Sequence, residues 1–279
     1  MSQSNTMAAV LDNLAAKAEE NAAGRDDEYI GEDGLLRCRK CDGPRQTVIN
    51  VFGRERTVRC DCGCRRAETE QAQKRQQIEA RERRRRACFQ GTNMEPWNFA
   101  NDDRARPELS DAMMRYADQF AEYRQNGKGM LLYGPAGTGK TFLAACVANR
   151  LIDNGYTAHM TNFAQVANHL QSTWEKQEYI DELCGYDLLI VDDLGTERKS
   201  EFMQEQVFNV IDARYRSGRP LLITSNLTQD ELGHPANIEA QRIYDRILER
   251  CLPVHVDGKS RRRQTARTSW NDMREQLGI

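Results

Sequence analysis

Eight consecutive residues near the middle of the chain have the types and spacing of a phosphate-binding loop. The segment 134–141 reads GPAGTGKT and fits the pattern G-x-x-x-x-G-K-[ST] at every fixed position. Glycines let successive backbone N–H groups turn towards phosphate oxygens, and a helix that starts at the lysine adds the positive end of its dipole. The expected ATP ligands are Gly134, Pro135, Ala136, Gly137, Thr138, Gly139, Lys140 and Thr141. Lys140 is expected to reach the β- and γ-phosphates, and the Thr141 hydroxyl to ligate Mg²⁺.

Two carboxylates follow an apolar run that suits a buried strand. Leu188–Val191 precede Asp192 and Asp193, and ligands of open α/β sheets bind at the carboxyl edge of the strands. Asp192 is expected to hold Mg²⁺, directly or through water, and Asp193 to orient the attacking water. Because Asp193 is one methylene shorter than the glutamate found there in many ATPases, slow hydrolysis is expected. The alternative is that both aspartates cap a strand-to-loop turn.

Three further polar residues are candidates for the same site. Asn226 ends the apolar segment 220–225, at a position where other ATPases contact the γ-phosphate and the water. A Ser225-Asn226 pair that only initiates a turn is the alternative. Arg242 and Arg246 lie at i and i+4, on one helix face. One of them is a candidate for an arginine that acts across a subunit boundary, although helical arginines are usually solvated.

Five of the nine cysteines are clustered, and they are Cys38, Cys41, Cys60, Cys62 and Cys64. Cys38-x-x-Cys41 presents two thiolates on a tight turn, and a second group follows after 18 residues. Four such sulfurs make a structural tetrahedral Zn²⁺ site, and so small a module needs metal to fold. We predict Cys38, Cys41, Cys60 and Cys62 as the ligands, because a glycine then follows each pair, with Cys64 as the alternative ligand. An iron–sulfur cluster and unliganded thiols are the other interpretations.

The elements that must position these residues alternate between apolar strands and amphipathic helices. This alternation predicts an α/β fold of the P-loop NTPase type, with a parallel sheet covered by helices on both faces. One helix is predicted over 163–179 and another over 201–218. The expected organisation is a flexible or amphipathic segment (1–30), a zinc-binding module (31–66), a charged helical linker (67–88) and an ATPase domain (89–279).

Composition limits the class of protein. Hydrophobic residues make up 39% of the 279 residues, charged residues make up 29%, and the formal net charge is −2. No stretch approaches the ~20 apolar residues of a transmembrane helix, and the first residues lack the features of a secretory signal. We therefore expect a cytoplasmic protein in a reducing compartment, without a membrane partner. The near-neutral charge argues against general coating of nucleic acid but allows a local basic groove.

Five segments stand in the order and spacing of one family, and they are GPAGTGKT, LLIVDDLGTE, LLITSN, QRIYDRI and VDGKSRRR. Over residues 89–265 the chain resembles the DnaC/DnaI-type replicative helicase loaders, a family of AAA+ ATPases that includes the IstB transposition ATPases. The resemblance implies that Arg242 is the arginine finger and that Arg262 is the sensor-2 arginine at the nucleotide. It also implies that Trp174 and Phe202 line single-stranded DNA, where stacking a base contributes ~1–3 kcal/mol. The alternative places Trp174 on the core face of its helix.

The resemblance implies a replication protein that uses ATP to deliver a hexameric replicative helicase onto single-stranded DNA. The N-terminal helix predicted at 7–21 and the zinc module would dock on the helicase, as in the DnaI-like and phage-encoded loaders. The ATPase domains would self-associate, and hydrolysis would release the assembly. The alternatives are a transposition helper ATPase of the IstB type and a nucleotide-switched adaptor without enzymatic activity. A metabolic P-loop kinase would leave Arg242 and Arg262 without a role.

Overall fold

The computed structural model describes residues 26–195, 200–235 and 237–279. The chain divides into two compact units, Met1–Glu79 and Ala80–Ile279. The amphipathic segment predicted at 7–21 lies outside the described residues. Among the helices that are described, none is long and apolar enough to cross a lipid bilayer.

The first unit contains two antiparallel strand pairs. They are β1 (Glu28–Ile30) with β2 (Leu36–Cys38), and β3 (Gln46–Val51) with β4 (Arg54–Arg59). Phe52 and Gly53 join the second pair with φ values of 52° and 78°. Two positive φ values in a two-residue loop suit a type I′ turn, whose twist matches that of the strands. A long helix, α1 (Gly63–Cys88), follows this hairpin in the chain.

A buried arginine ties the strand pairs of the first unit together. The Arg45 side chain is 2% exposed and forms ion pairs with Asp27 (2.6 Å), Glu28 (3.3 Å) and Asp61 (3.7 Å). Arg59 on β4 also pairs with the buried Glu28, at 3.0 Å. Buried charges lose hydration, and good pairing offsets that loss only in part. The core of this unit is therefore partly ionic rather than a continuous apolar cluster.

The second unit contains the main sheet and its helices. Its strands are β5 (Gly129–Tyr133), β6 (Ala158–Asn162), β7 (Leu188–Leu194), β8 (Leu221–Ser225) and β9 (Cys251–His255). Its helices are α2 (Pro107–Asp118), α3 (Phe120–Asn126), α4 (Lys140–Asp153), α5 (Phe163–Ser172), α6 (Lys176–Gly185), α7 (Glu201–Ser217), α8 (Gln229–Gly233), α9 (Ile238–Arg250) and α10 (Arg261–Leu277). All strand pairs are parallel, in the order β6-β7-β8-β5-β9. The predicted parallel α/β sheet is confirmed.

Both faces of this sheet are covered by helices, as predicted. Met130 and Leu132 on β5 belong to an apolar cluster that includes residues of α2 and α4. Leu131, between them, belongs to a second cluster that includes residues of α5, α7 and α9. Successive strand residues point to opposite faces, so a strand that is covered on both sides must be apolar throughout. This requirement explains the uninterrupted apolar run of β5.

The single helix predicted over 163–179 is wrong, because α5 and α6 are separated by Thr173–Glu175. Thr173 is extended, with φ −110° and ψ 147°, and its hydroxyl accepts a hydrogen bond from the Glu175 backbone N–H at 3.1 Å. Such a local side-chain bond offers the backbone an alternative to helical pairing. The apolar periodicity continues across this break and therefore does not reveal it.

A second buried arginine fixes the strands that carry the predicted acids. The guanidinium of Arg214 on α7 donates to the carbonyls of Cys184, Tyr186, Asp187 and Pro220 at 2.6–3.1 Å. Burial lowers the pKa of Arg214 to about 10. These four acceptors lie just before β7 and β8, so one side chain sets where both strands begin.

Candidate nucleotide site and metal centre

The predicted phosphate-binding loop connects β5 to the first residue of α4. Gly134 has φ 138°, and a Cβ there would lie 2.5 Å from the Val256 carbonyl oxygen. Gly137 has φ 84°, and a Cβ there would collide with the Ser260 side chain. Glycine is therefore required at both positions by conformation and by space. The loop has the strand–loop–helix context that phosphate binding requires.

The Lys140 ammonium group lies inside this loop. Its Nζ donates to the carbonyls of Gly134 and Pro135 and to Asn226 Oδ1, each at 2.8 Å. Burial lowers the pKa of Lys140, and the nearby Asp193 opposes that shift. The structure therefore places a partly dehydrated cation among neutral acceptors, where phosphate oxygens would be stronger partners.

The two predicted acids lie at the carboxyl edge of the sheet, beside the loop. Asp192 Oδ1 accepts hydrogen bonds from the hydroxyls of Thr141 (2.9 Å) and Thr224 (2.5 Å). Asp193 Oδ1 accepts from the Asn226 amide at 3.2 Å. Burial raises the pKa of Asp192, and its hydroxyl partners act in the opposite direction. A hydroxyl and a carboxylate in contact are oxygen donors of the kind that Mg²⁺ takes, so the donor set fits this ion.

A cavity of about 770 Å³ lies against these residues and is large enough for a nucleotide. Lys140, Asp193 and the predicted sensor Arg262 are among the residues that line it. Its apolar lining includes Trp97 and Phe142, whose ring centroids are 5.9 Å apart. This apolar surface suits an adenine base.

Two residues near the cavity are not singled out by the sequence. Thr224 directly follows the apolar residues of β8. A hydroxyl residue at that position of a buried strand is the sequence feature that could have identified it. Arg261 belongs to a basic run, but its backbone N–H donates to the Gly137 carbonyl at 2.9 Å and its guanidinium pairs with Asp103 at 2.9 Å. Both arginines line the cavity, and Arg261 also holds the loop.

The two candidate finger arginines differ in their surroundings. Arg246 pairs with Asp212 at 2.9 Å and lies 4.8 Å from the centre of the Phe208 ring. Arg242 is exposed, and its carbonyl accepts a hydrogen bond from the Arg246 guanidinium at 3.1 Å. Arg246 is therefore engaged within its own unit, whereas the exposed Arg242 side chain has no ion pair with any residue that the structure describes.

The two aromatic residues expected at DNA lie on different elements. Trp174 lies in the break between α5 and α6 and is 101% exposed. Phe202 is in the first turn of α7 and is half-buried. The alternative that Trp174 belongs to the core face of a helix is therefore wrong.

Four cysteine sulfurs of the first unit converge, and they are those of Cys38, Cys41, Cys62 and Cys64. All four lie within 4.8 Å of one another, and the sulfurs of Cys38 and Cys62 are 3.6 Å and 3.3 Å from that of Cys64. Zn–S bonds of ~2.3 Å in a tetrahedron require sulfurs ~3.8 Å apart, so the cluster fits Zn²⁺. Backbone N–H groups lower the pKa of Cys41 to about 6, which favours a thiolate.

The sequence-based choice of Cys60 over Cys64 differs from this arrangement and is corrected. The Cys60 backbone N–H donates to the Arg45 carbonyl at 2.8 Å, so the residue continues the β3–β4 pairing. Its sulfur lies 3.4 Å from the Pro44 carbonyl instead of joining the cluster. Cys64 is in the first turn of α1, and that turn brings its sulfur back beside Cys62.

Comparison with known proteins finds a family model and similar proteins. The family model described as IstB-like ATP binding protein matches residues 68–269. The replicative helicase loader DnaI of Bacillus subtilis (strain 168) is 29% identical over 179 residues, which cover 59% of this chain and 58% of that protein. The replicative helicase loader DnaC of Escherichia coli (strain K12) is 24% identical over 142 residues, which cover 49% of this chain and 57% of that protein.

A solved structure shares the fold. The crystal structure of DnaI matches with a TM-score of 0.53 at 24% identity, covering 64% of this chain and 99% of that one. At this identity the match establishes the fold alone. The chain spans less than two thirds of the length of both helicase loaders it matches in sequence.

Serine substitutions at Cys64 and Cys60 test the ligand set of the metal centre. The binding free energy of a structural Zn²⁺ ion is roughly 10–16 kcal/mol. Each of four ligands therefore contributes about 3 kcal/mol, or about 100-fold in affinity. Cys64→Ser is therefore expected to weaken zinc binding about 100-fold in a competition titration with a chromogenic chelator. Cys60→Ser is the matched control and is expected to keep the affinity of the unmodified chain. Loss of zinc in Cys60→Ser with retention in Cys64→Ser would contradict the assignment.

Proposed function

This chain belongs to the family of IstB-like ATP binding proteins, and we propose that it loads a hexameric replicative helicase onto single-stranded DNA. The observation that carries the proposal is the nucleotide site, in which two hydrogen-bonded groups form one network. Lys140 and Asp193 are bonded to Asn226, and Thr141 is bonded to Asp192. The Thr224 hydroxyl joins the two groups through Asp192 and the Asp193 backbone. The family model covers residues 68–269, which contain this network, and two replicative helicase loaders are similar over 59% and 49% of the chain.

We assign the residues of the network to ATP hydrolysis. The loop amides and Lys140 hold the phosphates, and Thr141 and Asp192 hold Mg²⁺, which neutralises phosphate charge when bound. Asp193 accepts hydrogen bonds and lies on the cavity wall beside Asn226, so this pair orients the attacking water. Hydrolysis is expected to be slow, because a short Asp occupies the base position.

Self-association completes the site in this proposal. Arg242 is exposed on α9, and its guanidinium has no partner of its own among the described residues. It therefore supplies the arginine finger to the site of a neighbouring copy, where it stabilises the charge of the transition state. Arg262 acts within its own chain, because it lines the nucleotide cavity.

The remaining parts contact the partners. Trp174 offers a fully exposed indole on which a DNA base can stack, with Phe202 as the second aromatic. The zinc-binding module, proposed at 31–66, docks on the helicase. Its four converging thiols and its exposed hairpin offer a surface for such docking.

A transposition helper ATPase is the second candidate, because the matching family is named after IstB. Such a helper acts on a transposase and duplex DNA. Copurification with a transposase and preference for duplex over single-stranded DNA favour that function. A nucleotide-switched adaptor is favoured instead if ATP binds and is never hydrolysed.

Helicase loading onto closed circular single-stranded DNA tests the proposal directly. Candidate hexameric helicases are mixed with the full-length, zinc-loaded protein, with and without ATP, and the helicase retained on the DNA circles is measured. We expect ATP-dependent retention, and a fall of about 10³-fold in ATP turnover for Arg242→Ala. Arg216→Ala removes another exposed helical arginine and is expected to change neither quantity. Absence of helicase binding under every nucleotide condition would count decisively against the loader.

Substitution of Trp174 tests the DNA surface. Trp174→Ala is expected to weaken binding of fluorescein-labelled single-stranded DNA by about 5- to 150-fold, since stacking one base contributes ~1–3 kcal/mol. Trp270→Ala removes a second exposed indole, on α10, and is expected to leave the affinity within about twofold. Equal losses of DNA affinity in the two variants would show that Trp174 is not a specific DNA contact.

A further inference from the structure

The strand that carries the two acids is irregular at the acids themselves. On β7 and β8, Val191 pairs with Ile223 and Leu194 pairs with Ser225. Two residues of β7, Asp192 and Asp193, therefore stand opposite the single residue between Ile223 and Ser225. This count is that of a β-bulge, which adds one residue to a strand and redirects a side chain. The residue opposite the bulge is Thr224.

The bulge brings both carboxylates to the same site. In a regular strand, consecutive side chains point to opposite faces of the sheet. Here Asp192 contacts the Thr141 hydroxyl, and Asp193 lines the nucleotide cavity and contacts Asn226. The conformation has a cost, because Asp193 adopts φ 59°, and a non-glycine residue in that left-handed region is strained.

The Thr224 hydroxyl forms hydrogen bonds with both residues of the bulge. It accepts a hydrogen bond from the Asp193 backbone N–H at 2.9 Å and donates one to Asp192 Oδ1 at 2.5 Å. Thr224 is completely buried, with 0% of its surface exposed, so water does not substitute for either bond. One hydroxyl thereby links the backbone of the second acid to the carboxylate of the first.

We propose that Thr224 is the positioning residue of this site, holding the bulge so that Asp192 and Asp193 both face the bound magnesium nucleotide. The inference rests on the proposed ATP hydrolysis and adds a residue to it. The hydroxyls of Thr141 and Thr224 both donate to Oδ1 of Asp192, which orients the carboxylate from two sides. Thr224 is buried and is not among the described residues that line the cavity, so it acts only through the two aspartates.

Substitution by valine separates the hydroxyl from the shape of the side chain. Thr224→Val keeps the volume and branching of threonine but removes both hydrogen bonds, whereas Thr224→Ser keeps the hydroxyl. For Thr224→Val we expect a fall of about 10- to 100-fold in kcat, the effect of a small misplacement at a reacting centre. The Mg²⁺ concentration for half-maximal ATP binding is expected to rise at least about fivefold, with little change in ATP affinity in EDTA. Thr224→Ser is expected to remain within about threefold of the unmodified chain in every measure.

Hydrogen–deuterium exchange gives a readout that requires no turnover. The Asp193 amide is bonded to Thr224, so its exchange in the nucleotide-free protein is expected to accelerate at least about tenfold in Thr224→Val and to stay slow in Thr224→Ser. If the valine variant does not fold, as judged by circular dichroism, Thr224→Cys takes its place, since a thiol is a weak donor and a weak acceptor.

The outcomes separate this inference from the proposed function. If the unmodified chain binds Mg²⁺-ATP but does not hydrolyse it, the proposed ATPase activity fails, and amide exchange and Mg²⁺ dependence still test Thr224. If the valine or cysteine variant matches the serine variant in amide exchange, Mg²⁺ dependence and kcat, Thr224 has no positioning role and the inference is overturned. A uniform loss of ATP affinity, with and without Mg²⁺, also overturns it, because that result indicates general damage to the site.

Discussion

Parallel pairing of β5, β8 and β7 is the constraint on which the rest of the site depends. Because the three strands run the same way, their carboxyl ends share one edge of the sheet, and the residues that follow them must meet there. The phosphate-binding loop follows β5, Asn226 follows β8, and Asp192 and Asp193 lie just before the last residue of β7. Arg214 fixes the opposite ends of β7 and β8 through the carbonyls before them. Backbone pairing between the strands thereby determines where residues from distant parts of the sequence meet to form the site.

Much of this arrangement is predictable from the sequence, because its signals are local. The loop motif, the apolar run before the acids and the glycine at the end of α7 each depend on neighbouring residues. The bulge at Asp193 is different, since it depends on the register between two strands that are 31 residues apart at Asp193 and Thr224. The position of the Cys64 sulfur depends likewise on where α1 begins. Glycine spacing alone favours Cys60 as the fourth metal ligand, and that prediction is wrong. The break at Thr173 is missed because a side-chain bond outweighs an apolar periodicity that continues through it.

The two units are stabilised by different interactions. The second unit buries continuous apolar clusters on both faces of its sheet, which is sufficient for an α/β domain of its size. The first unit has short strands, a buried arginine with three acidic partners and four converging thiols. Its apolar core is small, so a metal held by these thiols would supply stability that packing does not. Chelation is thus expected to affect the first unit before the second.

Binding of ATP at the loop is the claim on which the other assignments in the second unit rest. Its most direct test is an equilibrium titration of the full-length, zinc-replete chain with a fluorescent ATP analogue and Mg²⁺, alongside Lys140→Ala. We predict saturable binding that weakens by about 10- to 150-fold in the variant, the loss of a charge-assisted contact of ~1.5–3 kcal/mol. If the unmodified chain shows no affinity for adenine nucleotides in the presence of Mg²⁺, the account of the second unit is contradicted.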